Sequence, residues 1–197
     1  MEHNRPRIGR PPLADPEVLR SRLLGFIDRA GYDQASMGSL AAEVGMSVRT
    51  LHRYFPAKAD IVWGGIESSI ETLTRELDNA DDGLPVFEAV AGAVARVFDQ
   101  NAEDLTVMRV RLRLIALTPE LRANQSATFE AWRHAIIGFV ARRRGEDARG
   151  LVAVTAGTAV HTAILEALSW WALHSEATDP AATIAAALSG LGALSVS

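Results

Sequence analysis

Apolar positions recur along this chain at helical intervals. Leu19, Leu23, Phe26 and Ile27 are spaced by three and four, which predicts one buried stripe of a helix over residues 15–30. Asp15-Pro16-Glu17 supplies its start: a capping carboxylate, a proline at the first helical position, and an acid at the positive end of the dipole. Gly31 ends it. Leu40, Ala41 and Val44 form a second stripe over 37–44, and Leu51 and Phe55 a third over 47–54. Between these two, Gly45 can take the left-handed conformation that stops a helix, Met46 plugs the turn, and Ser47 caps the next helix. Pro56 interrupts the pattern, and one longer helix is expected over 58–78. Asp81-Asp82-Gly83 is the clearest break. Beyond it, helices are expected over 85–101, 103–117, 119–144, 147–174 and 180–194, with no strand alternation and no internal repeat. The expected fold is all-α.

Residues 37–55 carry the first functional signal. Two short helices joined by a glycine turn can lay the second helix in a major groove, where its N-terminal side chains meet base edges. Val48, Arg49, Thr50, His52, Arg53 and Tyr54 remain around that helix once Leu51 and Phe55 face inward. Arg49 suits a guanine edge and Val48 a thymine methyl. Ser47, Thr50, Tyr54 and Lys58 suit phosphates, with Lys58 expected beside the unbonded N–H groups at a helix start. The net charge of −4 fits this reading once it is divided. Residues 1–60 hold nine Arg and Lys against seven Asp and Glu, while the remainder holds eleven against seventeen. Residues 1–14 are expected to form a flexible basic arm. Its Arg7 and Arg10 could enter a minor groove or simply remain solvated.

Residues Met37-Gly38-Ser39-Leu40-Ala41-Ala42-Glu43-Val44-Gly45-Met46-Ser47, Thr50-Leu51-His52-Arg53-Tyr54-Phe55 and Lys58-Ala59-Asp60 resemble the TetR family of bacterial transcriptional regulators. The family commonly has tyrosine at the position of His52. The resemblance implies an N-terminal three-helix helix-turn-helix DNA-binding domain, placed at 15–60, and a C-terminal helical ligand-binding and dimerisation domain at 61–197. The run from Arg53 to Gly64, with Trp132-Arg133 downstream, looks like the branch tied to acyl-CoA-like or mycofactocin-related control. The same resemblance implies a cytoplasmic, ligand-responsive repressor that binds double-stranded DNA at a palindromic operator as a homodimer.

The C-terminal half refines that expectation. Residues 151–175 carry one formal charge, Glu166, among many small side chains, and 180–194 is similarly apolar. Glu166, His161, His174 and several hydroxyls argue against a membrane span. Two such helices can instead pair with their symmetry copies, with Leu165 and Leu188 expected in the interface. The helix over 103–117 is apolar on opposite sides and is therefore expected to be central, with Arg109 and Arg113 on one face and Arg111 elsewhere. Those arginines either pair internally or hold the acidic head of a ligand, possible effectors being apolar and acyl-CoA-like. Candidate pocket residues are Trp63, Met108, Arg109, Leu112, Arg113, Phe129, Trp132 and Trp170, each aromatic having a core or interface role as its alternative.

Other classes find less footing. A phosphate loop, an HExxH pair and a nucleophile elbow are all missing from the sequence, and His134, His161 and His174 lack a second ligand at helical spacing. No enzyme activity, cofactor or metal is expected. With no cysteine, a reducing compartment is the natural setting. A pocketless architectural DNA binder is the alternative regulator, and a helical enzyme the more distant one.

Overall fold

The computed structural model describes residues 15–100, 104–123, 127–175 and 179–193, and all regular structure among them is α-helical. The basic arm with Arg7 and Arg10 lies outside the described residues. Helix α1 spans Pro16–Ala30, α2 Met37–Glu43 and α3 Val48–Tyr54. Their ends follow the expected chemistry. Asp15 accepts the Glu17 N–H at 2.9 Å, Ser47 Oγ accepts the Thr50 N–H at 3.1 Å, and Gly45 takes φ +68° between α2 and α3. An additional cap comes from Ser36 and Ser39, each hydroxyl accepting the other residue's backbone N–H. Leu23, Leu24, Ile27, Leu40, Leu51 and Phe55 close the core of this three-helix unit.

The single helix expected over 58–78 is two: α4 over Lys58–Trp63 and α5 over Ser68–Asp78. Gly64 and Gly65 break it, Gly65 at φ +81°. The cause is long-range. Arg20 on α1 donates to the Asp60 carbonyl at 2.6 Å and the Ile61 carbonyl at 3.2 Å. A Cβ on Gly64 would lie 2.6 Å from the Arg20 guanidinium, and one on Gly65 would lie 2.7 Å from Glu17 Oε2. The chain turns where carbonyls meet a buried cation, and only glycine leaves room for it.

Five further helices and one short turn of helix complete the molecule: α6 over Val86–Asp99, α7 over Leu105–Leu117, α8 over Pro119–Ala123, α9 over Ala127–Arg144, α10 over Leu151–His174 and α11 over Ala181–Ala193. The helix expected over 119–144 is therefore also divided, into α8 and α9. The start of α10 moves from 147 to Leu151 because residues 147–150 form a turn closed by the Gly150 N–H on the Asp147 carbonyl at 2.8 Å. Helix α10 is long and apolar enough to cross a membrane, yet it packs against α7, α9 and α11. Helix α7 is central as expected, touching α1, α4, α8 and α10.

Candidate DNA interface and effector cavity

Helix α3 presents a polar face away from the core. Arg49, His52 and Arg53 are exposed, Val48 is 42% exposed, and Thr50 and Tyr54 are half-buried. Among the described residues neither Arg49 nor Arg53 has a hydrogen-bond or ion-pair partner. The remaining candidates are partly engaged. Ser47 and Thr50 share a hydroxyl–hydroxyl bond of 2.8 Å, and His52 Nδ1 lies 3.0 Å from the Pro56 carbonyl. These bonds lock rotamers at the entry and exit of α3.

Lys58 is partly engaged as well. Its ammonium donates to the Tyr32 carbonyl and sits 4.0 Å from the Tyr32 ring centre. At the start of α4, Asp60 accepts the Ala57 N–H at 2.7 Å. That carboxylate places one negative charge at the positive helix end. Tyr32 stays a neutral phenol, pushed up to about 12 by burial first and then by the Glu120, Asp33 and Asp60 carboxylates.

The three arginines of α7 all point at protein. Arg113 forms a bidentate pair with Asp28 on α1, its Nε donating at 3.0 Å. That contact holds the guanidinium more firmly protonated. Arg109 donates to the carbonyls of Trp171, Ala172 and Ser175 at the end of α10 and packs 5.3 Å from the Trp171 ring centre. Arg111, 1% exposed, donates to the Val62 carbonyl and to the Gly64 carbonyl at 2.9 Å. The expectation of Arg109 and Arg113 around a ligand head is therefore corrected: both cap or pair within the fold, and neither lines the cavity between α7, α9 and α10 or the cleft beside it.

A cavity of about 370 Å³ lies between α7, α9 and α10, walled by Trp63, Leu112, Ile115, Phe129, Leu165 and Leu168. A narrow cleft of about 40 Å³ shares Leu112, Ile115, Phe129, Leu165 and Leu168 with it and adds Met108, Arg111, Trp132 and Ser69. Trp63, Met108, Leu112, Phe129 and Trp132 thus converge on one apolar space. Trp170 does not: it is 54% exposed on the outer side of α10, facing a shallow recess beside α11. Trp63 and Phe129 meet edge to face at 4.9 Å, and Trp132 Nε1 donates to Ser69 Oγ at 3.0 Å. Arg122 and Glu166 also line the wide cavity, 3.7 Å apart and both largely exposed. Sequence reasoning missed Arg122, which sits on a single turn of helix with no periodicity to mark it. Glu166 stood out as the lone charge of α10, but nothing local tied it to a cavity.

Leu188 and Leu165 are corrected too. Leu188 is 1% exposed in the core, and Leu165 lines the cavity. The outer faces of α10 and α11 are formed instead by Thr162, Glu166, Trp170, Ala182, Ala186 and their neighbours.

Comparison with known proteins places this arrangement. Residues 84–194 match the signature described as the MftR C-terminal domain, and residues 26–62 match that described as bacterial regulatory proteins, tetR family. The chain belongs to the TetR family and is a DNA-binding transcriptional regulator. It is similar to a Mycobacterium tuberculosis protein named as a mycofactocin biosynthesis transcriptional regulator, MftR. The two are 29% identical over 188 residues, 95% of this chain and 94% of the relative. The fold matches that of FadR from Bacillus subtilis in complex with stearoyl-CoA, with a TM-score of 0.62, 20% identity, and coverage of 90% of this chain and 97% of that one. It also matches NalD, the secondary repressor of the MexAB-OprM multidrug efflux pump in Pseudomonas aeruginosa, with a TM-score of 0.61, 20% identity, and coverage of 90% and 95%.

Proposed function

We propose that this regulator is a homodimeric, cytoplasmic repressor that leaves its operator when an apolar or acyl-type effector fills the cavity between α7, α9 and α10. The carrying observation is that Trp63, the last residue of α4, forms part of the cavity wall. An occupant therefore touches the helix that comes directly after the DNA-reading unit. The arm is residues 1–14, the DNA-binding unit 15–60, and the effector and dimerisation unit 61–197. The division at residue 60 falls inside α4, so that helix belongs to both units. The stearoyl-CoA in the structure of the FadR neighbour supports an acyl chain as the apolar part. Arg122 replaces Arg109 and Arg113 as the partner of an anionic head. Its exposed pair with Glu166 is worth little and can be exchanged.

In the dimer, two α3 helices meet successive major-groove faces of a palindrome, about 34–36 Å apart. Arg49 reads a base edge and Val48 a methyl group. Ser47, Thr50, His52, Arg53 and Tyr54 position the unit, Lys58 contributes the donors Tyr32 leaves it, and Arg7 and Arg10 extend the contact from the arm. An effector that favours a different spacing of the heads weakens DNA binding by its differential affinity for the two states. A tenfold loss needs about 1.4 kcal/mol of coupling.

Fluorescence anisotropy on operator DNA at fixed salt, with stearoyl-CoA titrated in, tests this reading. At least tenfold weaker DNA binding is expected at saturation, with a change in tryptophan emission. Arg49→Ala should cost about 1–3 kcal/mol on the operator and much less on scrambled DNA. Binding of stearoyl-CoA with unchanged operator affinity would refute the effector reading. Equal losses on both DNAs would move Arg49 to the phosphate backbone.

A further inference from the structure

The end of α4 is fastened from two directions. From α1, Arg20 holds the Asp60 and Ile61 carbonyls while stacking 5.0 Å from the Phe55 ring centre, so it moves with the DNA-reading unit. From α7, Arg111 holds the Val62 and Gly64 carbonyls. The Val62 carbonyl belongs to the last turn of α4 and the Gly64 carbonyl to its C-terminal cap, where a helix end has no intrahelical donors. Arg111 also forms part of the narrow cleft that continues the effector cavity, beside Met108, Phe129 and Trp132. Its neighbours in the sequence lack that double position: Arg109 is spent on α10 and Arg113 on Asp28.

We infer that Arg111 is the positioning residue that couples cavity occupancy to the DNA-reading unit. The inference rests on the effector reading above and deepens it. With the cleft empty, Arg111 keeps the end of α4 at α7. Bulk pushed into the cleft competes for the space of its guanidinium and releases the Val62 and Gly64 carbonyls. Beyond that point lie Gly64 and Gly65, the break between α4 and α5, where Gly65 takes φ +81°. Arg20 keeps its grip, so α4 then moves with α1 rather than α7, and the head changes its angle to the body. The Arg113–Asp28 pair keeps α1 docked, which limits the change to a tilt.

The test needs no knowledge of the natural effector. Leu165→Trp places extra bulk in the space shared by cavity and cleft. Operator affinity is measured for Leu165→Trp, Arg111→Met, Arg111→Lys and the two corresponding double variants, a cycle that isolates the coupling between the sites. Leu165→Trp alone should weaken binding at least tenfold, and by less than twofold in the Arg111→Met background. Arg111→Lys, which keeps a charged donor for one carbonyl, should restore part of the response and covers the case in which Arg111→Met fails to fold. Amide exchange across residues 62–66 should rise in Leu165→Trp and be already high in Arg111→Met. If Leu165→Trp weakens DNA binding by the same factor in all three backgrounds, Arg111 is not the coupler, while the effector reading stands. If it has no effect even with Arg111 present, the cavity does not communicate with the heads, and both ideas fall.

Discussion

His161 is buried on α10, with its Nε2 lacking a hydrogen-bond partner among the described residues and its ring centre 6.5 Å from that of Phe129. Its pKa is pushed down to about 4, chiefly by burial, with Glu130 working against the shift and Arg133 adding to it. An unfolded histidine titrates near 6.5. Between those values the unfolded chain takes up a proton that the folded chain refuses. Stability is therefore full above pH 6.5 and is lost as pH falls toward 4, by an amount on the order of 3 kcal/mol from this group. The melting temperature should fall by several degrees more in the parent protein than in His161→Leu between pH 7 and 4.5; parallel curves would show that His161 is not the cause. Residues of this kind mark the limit of sequence reading. The exposed face of α3 was legible because a short run fixes it. Partners of Arg109, Arg111 and Arg113 lie 47 to 85 positions away, and no local pattern points to them.

At the scale of elements, helices with their own caps were placed almost to the residue. Asp15, Gly31, Gly45 and Ser47 act within a turn or two of themselves, so the sequence carries the whole argument. The α4–α5 break was invisible for the opposite reason. Ile61, Val62, Ile66, Ile70, Leu73 and Leu77 keep helical spacing straight through Gly64-Gly65, and the turn is imposed by Arg20 and Arg111 from other elements. Helices α10 and α11 show a third case. Their small, apolar character was plain, but not which side would be left outside, so Leu188 was assigned to the wrong face. Ala186 is the better probe of a dimer interface: it is exposed on α11 beside Ala163 and Trp170, where a single chain tolerates a long side chain. Sedimentation of the parent protein at micromolar concentration should give twice the 21.2 kDa chain mass, and Ala186→Arg should give a folded monomer. A dimeric Ala186→Arg would move the interface elsewhere.

The whole molecule is tied together through α7. On a helix, positions two apart point about 200° from one another, so Arg111 faces away from Arg109 and Arg113, which share a face one turn apart and reach neighbours at different levels along it. One holds the end of α10, one the end of α4, and one Asp28 of α1. Scanning calorimetry should accordingly show a single transition for the intact chain. Arg113→Gln, which leaves Asp28 without its cation, should lower the temperature at which α1–α3 lose structure and spread or split that transition. A sharp, unshifted peak would mean that the pair contributes nothing to docking. The arginine fan has a practical consequence for engineering. Residues 15–63 joined to another body would arrive with the Val62 carbonyl unclaimed and Asp28 facing no cation. A working chimera must carry arginines equivalent to Arg111 and Arg113 in the middle of the recipient body, at matching register, before its new recognition helix can report on anything the body binds.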